Sequence, residues 1–159
     1  MIQGKAIKFG KNIDTDQIIG AHHLSLPTIR DMAPFAFENA PHFVQHFKRG
    51  DIIVGEDNFG CGSSREQAPA LLKQRGVGAI VARSFARIFF RNAINLGIVL
   101  IECPEADKIS HLEMLEIDND RLRSPKNGRK FGITALPPFI CGILADGGII
   151  AYIRRKGSL

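Results

Sequence analysis

An α/β fold is predicted for this chain, built on a parallel β-α-β-α-β unit with an adjoining β-rich layer. Between residues 52 and 101, apolar strand-like runs alternate with helical stretches, and the last third turns β-rich around a turn segment. Such alternation implies parallel strands joined by right-handed crossovers. A glycine-rich loop, Asn58-Phe59-Gly60-Cys61-Gly62-Ser63-Ser64-Arg65-Glu66, falls between one of these strands and its helix. Ligands of parallel sheets gather there, outside the carboxyl ends of the strands.

Ile2 to Phe9 alternates as a first strand, and Asn12 to Ile19 reads as a polar turn running into a short apolar stretch. Gly20 to Leu26 is irregular and reads as a loop. Thr28 to Asn39 is expected to be helical, with Pro34 limiting its regularity, and Pro41 to Phe47 to add another helical turn. Ile52-Ile53-Val54 is a buried strand, Ser64 to Gln74 a helix, and Gly76 its stop. Gly78 to Ala82 is a strand, Ser84 to Asn95 a helix closed by Gly97, and Ile98 to Ile101 a strand. Leu112 to Asp118 and Lys130 to Leu136 flank the turn-rich Ser124-Pro125-Lys126-Asn127-Gly128 as strands. Pro137-Pro138 opens a short helix through Ala145, ended by Gly147-Gly148.

At 159 residues the chain is sized for one domain spanning 1–159. No apolar run reaches the roughly 18 residues of a membrane helix, and Met1-Ile2-Gln3-Gly4-Lys5 lacks the apolar core of a signal peptide. No membrane association and a cytoplasmic location are expected. Cys61, Cys103 and Cys141 form an odd set without a CxxC pair, against a disulfide framework or a complete metal site. The net charge of +5 is scattered and accompanied by no nucleic-acid motif, so no nucleic acid is expected. A basic balance fits an anionic small substrate or an acidic partner.

Within the loop, glycines allow tight turning and close backbone approach, and a helix start favours an anion. Ser63 followed by Glu66, and Ser64 followed by Gln67, also satisfy the capping-box pattern, which on its own reads a serine here as a cap sooner than as a reactive group. Arg65 sits where positive charge is disfavoured by the helix dipole. It points either to a bound carboxylate or to pairing with Glu66, Asp57 or Asp16. Cys61 reads as a small buried residue or as a thiolate nucleophile. The order Gly-Lys-Ser/Thr of a phosphate loop and GxGxxG are both missing. His42 and His46 are spaced i,i+4 but lack an obvious third ligand.

Three segments together resemble a known family: Asp14-Thr15-Asp16-Gln17-Ile18-Ile19, then Gly60 through Arg65 to Glu66-Gln67-Ala68-Pro69, then Ser84-Phe85-Ala86-Arg87-Ile88-Phe89. The family is the 3-isopropylmalate dehydratase small subunits, which correspond to the swivelling fourth domain of aconitase. The resemblance runs in order over nearly the whole chain. It implies an aconitase swivel-type β/β/α domain and a subunit of a hydro-lyase of leucine biosynthesis, moving a hydroxyl on a small hydroxy-dicarboxylate through a dehydrated intermediate. It implies no cofactor in this chain, and a separate large subunit whose 4Fe-4S cluster polarises the leaving hydroxyl. Carried over, Ser63 is the base, ionised to an alkoxide, and Arg65 clamps the substrate carboxylate. Ser64 helps hold substrate or caps the helix, Gly62 lies in the binding loop, and Asp16 supports the arginine.

The stretch Gly20 to Arg30 resembles the family's specificity loop. His23-Leu24-Ser25-Leu26 falls where the family has Tyr-Leu-Arg-Thr, so Ser25 replaces the arginine that meets a third carboxylate in aconitase-like enzymes. Leu24 and Leu26 offer apolar surface instead, which favours an alkyl-substituted malate. Arg30 could fold back into the pocket and restore a cation. 2,3-Dimethylmalate dehydratase and homoaconitase-type subunits remain the neighbouring alternatives. Other classes are a non-catalytic anion-binding module and an enzyme that uses Cys61.

Overall fold

The computed structural model describes residues 1–118 and 121–157. Residues 119–120 and 158–159 of the expected 1–159 unit lie outside the described residues. Seven strands form one mixed sheet: β1 (Ile2–Lys8), β2 (Ile52–Val54), β3 (Ala79–Ala82), β4 (Leu100–Glu102), β5 (Met114–Asp118), β6 (Arg121–Ser124) and β7 (Arg129–Phe131), in the order β4-β3-β2-β1-β5-β6-β7. β1 to β4 run parallel, in register Ile7–Ile53–Ile80–Leu100. On its other edge β1 pairs antiparallel with β5, and β5-β6-β7 continue as a meander. The β-rich part is therefore a wing of the same sheet.

Alternation along the strands sends side chains to two cores. Ile7, Ile53, Ile80 and Leu100 face the helices α4 (Gln67–Arg75) and α5 (Arg87–Asn95), with Leu71, Leu72, Phe89 and Ala93 packed among them. Ala6, Ile52, Val54, Ala79, Val81 and Ile101 face the opposite way, onto Leu115, Ile117, Leu122 and Phe131 of the wing. The sheet must curl over itself to bury that second set.

Several boundaries differ from those the sequence suggested, each for a local reason. The stretch 28–39 breaks into α2 (Ile29–Met32), capped by the Thr28 hydroxyl, a 3₁₀ turn Ala33–Phe35, and Phe37 at φ 52°. Pro34 removes an N–H and crowds the preceding turn. α4 starts at Gln67 rather than Ser64, because Gly60 and Gly62 hold positive φ and the Arg65 N–H turns back onto the Ser63 carbonyl at 2.8 Å. α5 starts at Arg87 rather than Ser84, since Phe85 is bridged to Phe59 and the Ala86 N–H donates to the Phe59 carbonyl.

Residues 12–19 hold a helical turn, α1 (Thr15–Ile18), with Asp14 and Gln17 forming a reciprocal capping box. α3 (Pro41–His46) and α6 (Pro138–Ala145) lie where they were expected. β6 lies outside the expected strands and the last expected strand ends early, at Phe131. A final helix, α7 (Ile149–Lys156), buries Tyr152 and follows the Gly147-Gly148 stop.

Candidate functional site

Three loops meet beyond the carboxyl ends of β1, β2 and β3, laced by backbone bonds that prolong the sheet. Gly60 N–H donates to the Ile13 carbonyl at 2.7 Å, Thr15 N–H to Cys61 at 2.9 Å, and Phe59 N–H to Ser84 at 3.0 Å. Asn12 and Asn58, both at positive φ, clip the rim side chain to side chain. The two loop glycines are forced. A Cβ on Gly60 would lie 2.2 Å from the Phe89 ring, and one on Gly62 would lie 2.6 Å from both carboxylate oxygens of Asp14.

Ser63 sits exposed at the rim of an open hollow of about 450 Å³, lined also by Asn58, Cys61, Phe85, Arg87 and Ile88. Its hydroxyl lies 3.3 Å from the Thr15 hydroxyl, which also donates to the Ser63 carbonyl at 3.1 Å. Thr15 itself is buried. Sequence reasoning passed over this threonine; the signal was the Asp14…Gln17 capping box, which fixes a helix start and turns Thr15 inward.

Arg65 is largely buried, 17% exposed at the side chain. Nη1 pairs with the Asp16 carboxylate and donates to the Ile19 carbonyl at 3.1 Å. Of the pairings open to it, Asp16 is the one formed. No bond among the described residues uses Nε or Nη2, so one edge of the fork stays available to a carboxylate.

The capping reading of the serines is corrected. α4 has no side-chain cap, Glu66 stands at its N-cap, and Ser64 is exposed with no hydrogen bond among the described residues. Ser63 lies four positions upstream of the first helical residue, so Thr15 rather than the free N–H groups of α4 touches its hydroxyl.

Cys61 is partly buried, and burial, followed by the Asp14 carboxylate, pushes its thiol above the ordinary value. That opposes a thiolate nucleophile.

In the 20–30 loop, Leu24 and Leu26 pack partly against the helix-side core, while Ser25 and Arg30 are exposed. Ser25 reaches only the His22 carbonyl, at 3.4 Å, and Arg30 has no partner among the described residues. His23 turns onto Glu38 and stacks on Phe35, with ring centroids 3.9 Å apart. His111 joins the i,i+4 pair: its Nε2 lies 3.2 Å from His46 Nδ1, and its ring lies edge-on to His42. Among the described residues no helix is long and apolar enough to cross a membrane.

The aconitase C-terminal domain family matches residues 9–106. A 3-isopropylmalate dehydratase small subunit from Wolinella succinogenes is 44% identical over 157 residues, covering 97% of this chain and 94% of that protein. One from Archaeoglobus fulgidus, the small subunit 1, is 44% identical over 95% of this chain and 96% of its own length. A crystal structure of 3-isopropylmalate dehydratase from Methanocaldococcus jannaschii superposes with a TM-score of 0.91 at 36% identity, covering 98% of this chain and 95% of that one.

Proposed function

This chain belongs to the family of 3-isopropylmalate dehydratase small subunits, and we propose that it supplies the acid–base half of that hydro-lyase, interconverting 2- and 3-isopropylmalate in leucine biosynthesis. The observation that carries the proposal is that the loop holds an exposed Ser63 hydroxyl, touched by Thr15, and, two residues on, a guanidinium fixed on one side by Asp16 and open on the other. Ser63 takes the proton from the carbon beside a carboxylate, and Arg65 binds that carboxylate through its free edge. Charge develops on the carboxylate as the proton leaves, so Arg65 binds the transition state more tightly than the ground state. When Ser63 ionises, Thr15 can swing its single proton from the Ser63 carbonyl to the Ser63 oxygen.

The reaction also calls for activation of the leaving hydroxyl. The cysteines of this chain do not fit an iron–sulfur cluster. Among the described residues the one group of three potential metal ligands contains no cysteine, and Cys103 is buried while Cys141 is exposed. The proposal places a 4Fe-4S cluster, with its Lewis-acid chemistry, on a large-subunit partner. An alkyl-malate rather than a tricarboxylate is favoured by Ser25 and by the partly buried Leu24 and Leu26 in the loop. The names of the relatives agree.

Anaerobic reconstitution with the large subunit, assayed on isopropylmalate, dimethylmalate, citraconate and homoaconitate, tests the assignment. Isomerase activity on isopropylmalate is expected from the pair and none from this chain alone. In Ser63→Ala, turnover should fall by about 10²–10⁴-fold, the usual worth of a general base, with subunit association kept. Activity of the lone chain without iron, or normal turnover of the variant, overturns the proposal.

A further inference from the structure

His22, His23 and Glu38 converge on one point beside the 20–30 loop. His23 Nε2 lies 2.9 Å from both carboxylate oxygens of Glu38, and His22 Nε2 lies 3.3 Å from Oε1. All three ligand atoms fall within 4.8 Å of one another. In a tetrahedral site with bonds of about 2.0–2.1 Å, neighbouring ligand atoms stand about 3.3–3.4 Å apart. The two histidine–carboxylate spans, 2.9 and 3.3 Å, lie within about half an ångström of that spacing.

His23 is backed by an aromatic ring, and the absence of a side chain at residue 20 leaves room for His22. His23 stacks on Phe35 at an interplanar angle of 14°. His22 folds over Gly20, where a Cβ would come 2.6 Å from His22 Cε1. The 3₁₀ turn Ala21–His23 lets two consecutive histidines aim their Nε2 atoms at the same carboxylate.

We infer that His22, His23 and Glu38 form a binding site for a divalent transition-metal ion of the zinc class, tying the Ala21–His23 turn to the turn that ends at Glu38. Two imidazoles and one carboxylate suit such an ion and leave coordination positions for water. The other histidine group differs. His46 Nδ1 and His111 Nε2 bond to each other, and His111 Nδ1 accepts from the Lys8 N–H at 3.2 Å. Those lone pairs are committed, and no carboxylate joins them in the described contacts.

The test uses the full chain, stripped with a chelator, titrated with Zn²⁺ by calorimetry and with Co²⁺ by visible absorption. One ion per chain is expected, with a Co²⁺ spectrum showing nitrogen ligation and a melting temperature raised by Zn²⁺. His22→Ala and Glu38→Gln should each weaken binding by at least about tenfold, as even outer partners of a metal do. The His22 side chain is 70% exposed, so its variant keeps the apo melting temperature. His46→Ala and Cys141→Ala should bind like the parent. No saturable one-to-one binding, unchanged binding in both His22→Ala and Glu38→Gln, or loss of binding in His46→Ala or Cys141→Ala overturns the site.

Discussion

Gly62→Ala is expected to damage both stability and chemistry through one contact. Gly62 holds φ +89°, a region that costs an L-residue about 1–2 kcal/mol. The new Cβ would also meet both Asp14 oxygens at 2.6 Å. Those oxygens cannot retreat freely, because one accepts from the Asp16 N–H at 2.7 Å and caps α1. Displacing the cap costs a further 0.5–2 kcal/mol or so. Together these give about 1.5–4 kcal/mol, or roughly 3–16 °C in melting temperature for a domain of this size. α1 carries Thr15 and Asp16, so kcat in the reconstituted enzyme should fall even at temperatures where the variant is folded. Calorimetry and steady-state kinetics measure the two effects. Gly10→Ala, where a Cβ meets nothing within 4 Å, is the neutral control. A Gly62→Ala protein that melts and turns over like Gly10→Ala would refute the reasoning.

Thr15→Val keeps the shape of a buried side chain but removes both bonds to Ser63. Kcat should drop by about 10–100-fold, the worth of a hydrogen bond to a charged oxygen, with KM steady and Thr15→Ser restoring the rate; an equal loss in Thr15→Ser points to packing instead. Arg65→Lys loses the fork, so kcat/KM should fall by about 10–100-fold, and a change under twofold removes Arg65 as the clamp. Burial, and then the nearby His42 and His46, hold His111 below its ordinary value of 6.5. The unfolded chain then takes up the proton first, so this group lowers stability as pH falls through about 6.5. His111→Gln should flatten the melting temperature between pH 7 and pH 5, and an unchanged slope would exclude His111 as the source.

The parallel half of the fold was legible because each strand carries its own apolar run and each crossover its own helical period. Val54 and Ala82 lie at strand ends where glycine and serine signals follow. The wing was harder. Arg121-Leu122-Arg123-Ser124 offers one large apolar residue, and it becomes a strand because β5 and β7 flank it, with Leu122 paired to Ile117 and Phe131. α7 is amphipathic, but it follows a glycine pair and ends in Arg154-Arg155-Lys156, so its one buried residue, Tyr152, gives little periodic signal. At the site, Asp16 and Arg65 were legible as charges that needed partners. Glu38 and His111 were not, and of Thr15 only the surrounding capping box was, since their contacts join segments 15 to 65 residues apart in sequence.

The proposed function also accounts for a site left open on one side. A serine hydroxyl ionises only where its charge is stabilised and competing water is kept out. Here the groups that must not move are fixed: Thr15 is buried and Arg65 is pinned at one nitrogen by Asp16 and Ile19. The face that must exchange substrate is open, with Ser63 exposed and Asp16 63% exposed at the side chain. Arg87 and the 46%-exposed Ile88 stand on the rim of the same hollow, a cation and an apolar group turned to solvent. In the proposed reading the missing wall is the large subunit. Closure then does three things at once: it expels water from Ser63, strengthens the hold of Arg65 on a carboxylate by lowering the local dielectric, and brings the proton-bearing carbon within reach. In the same reading opening reverses all three and lets product leave.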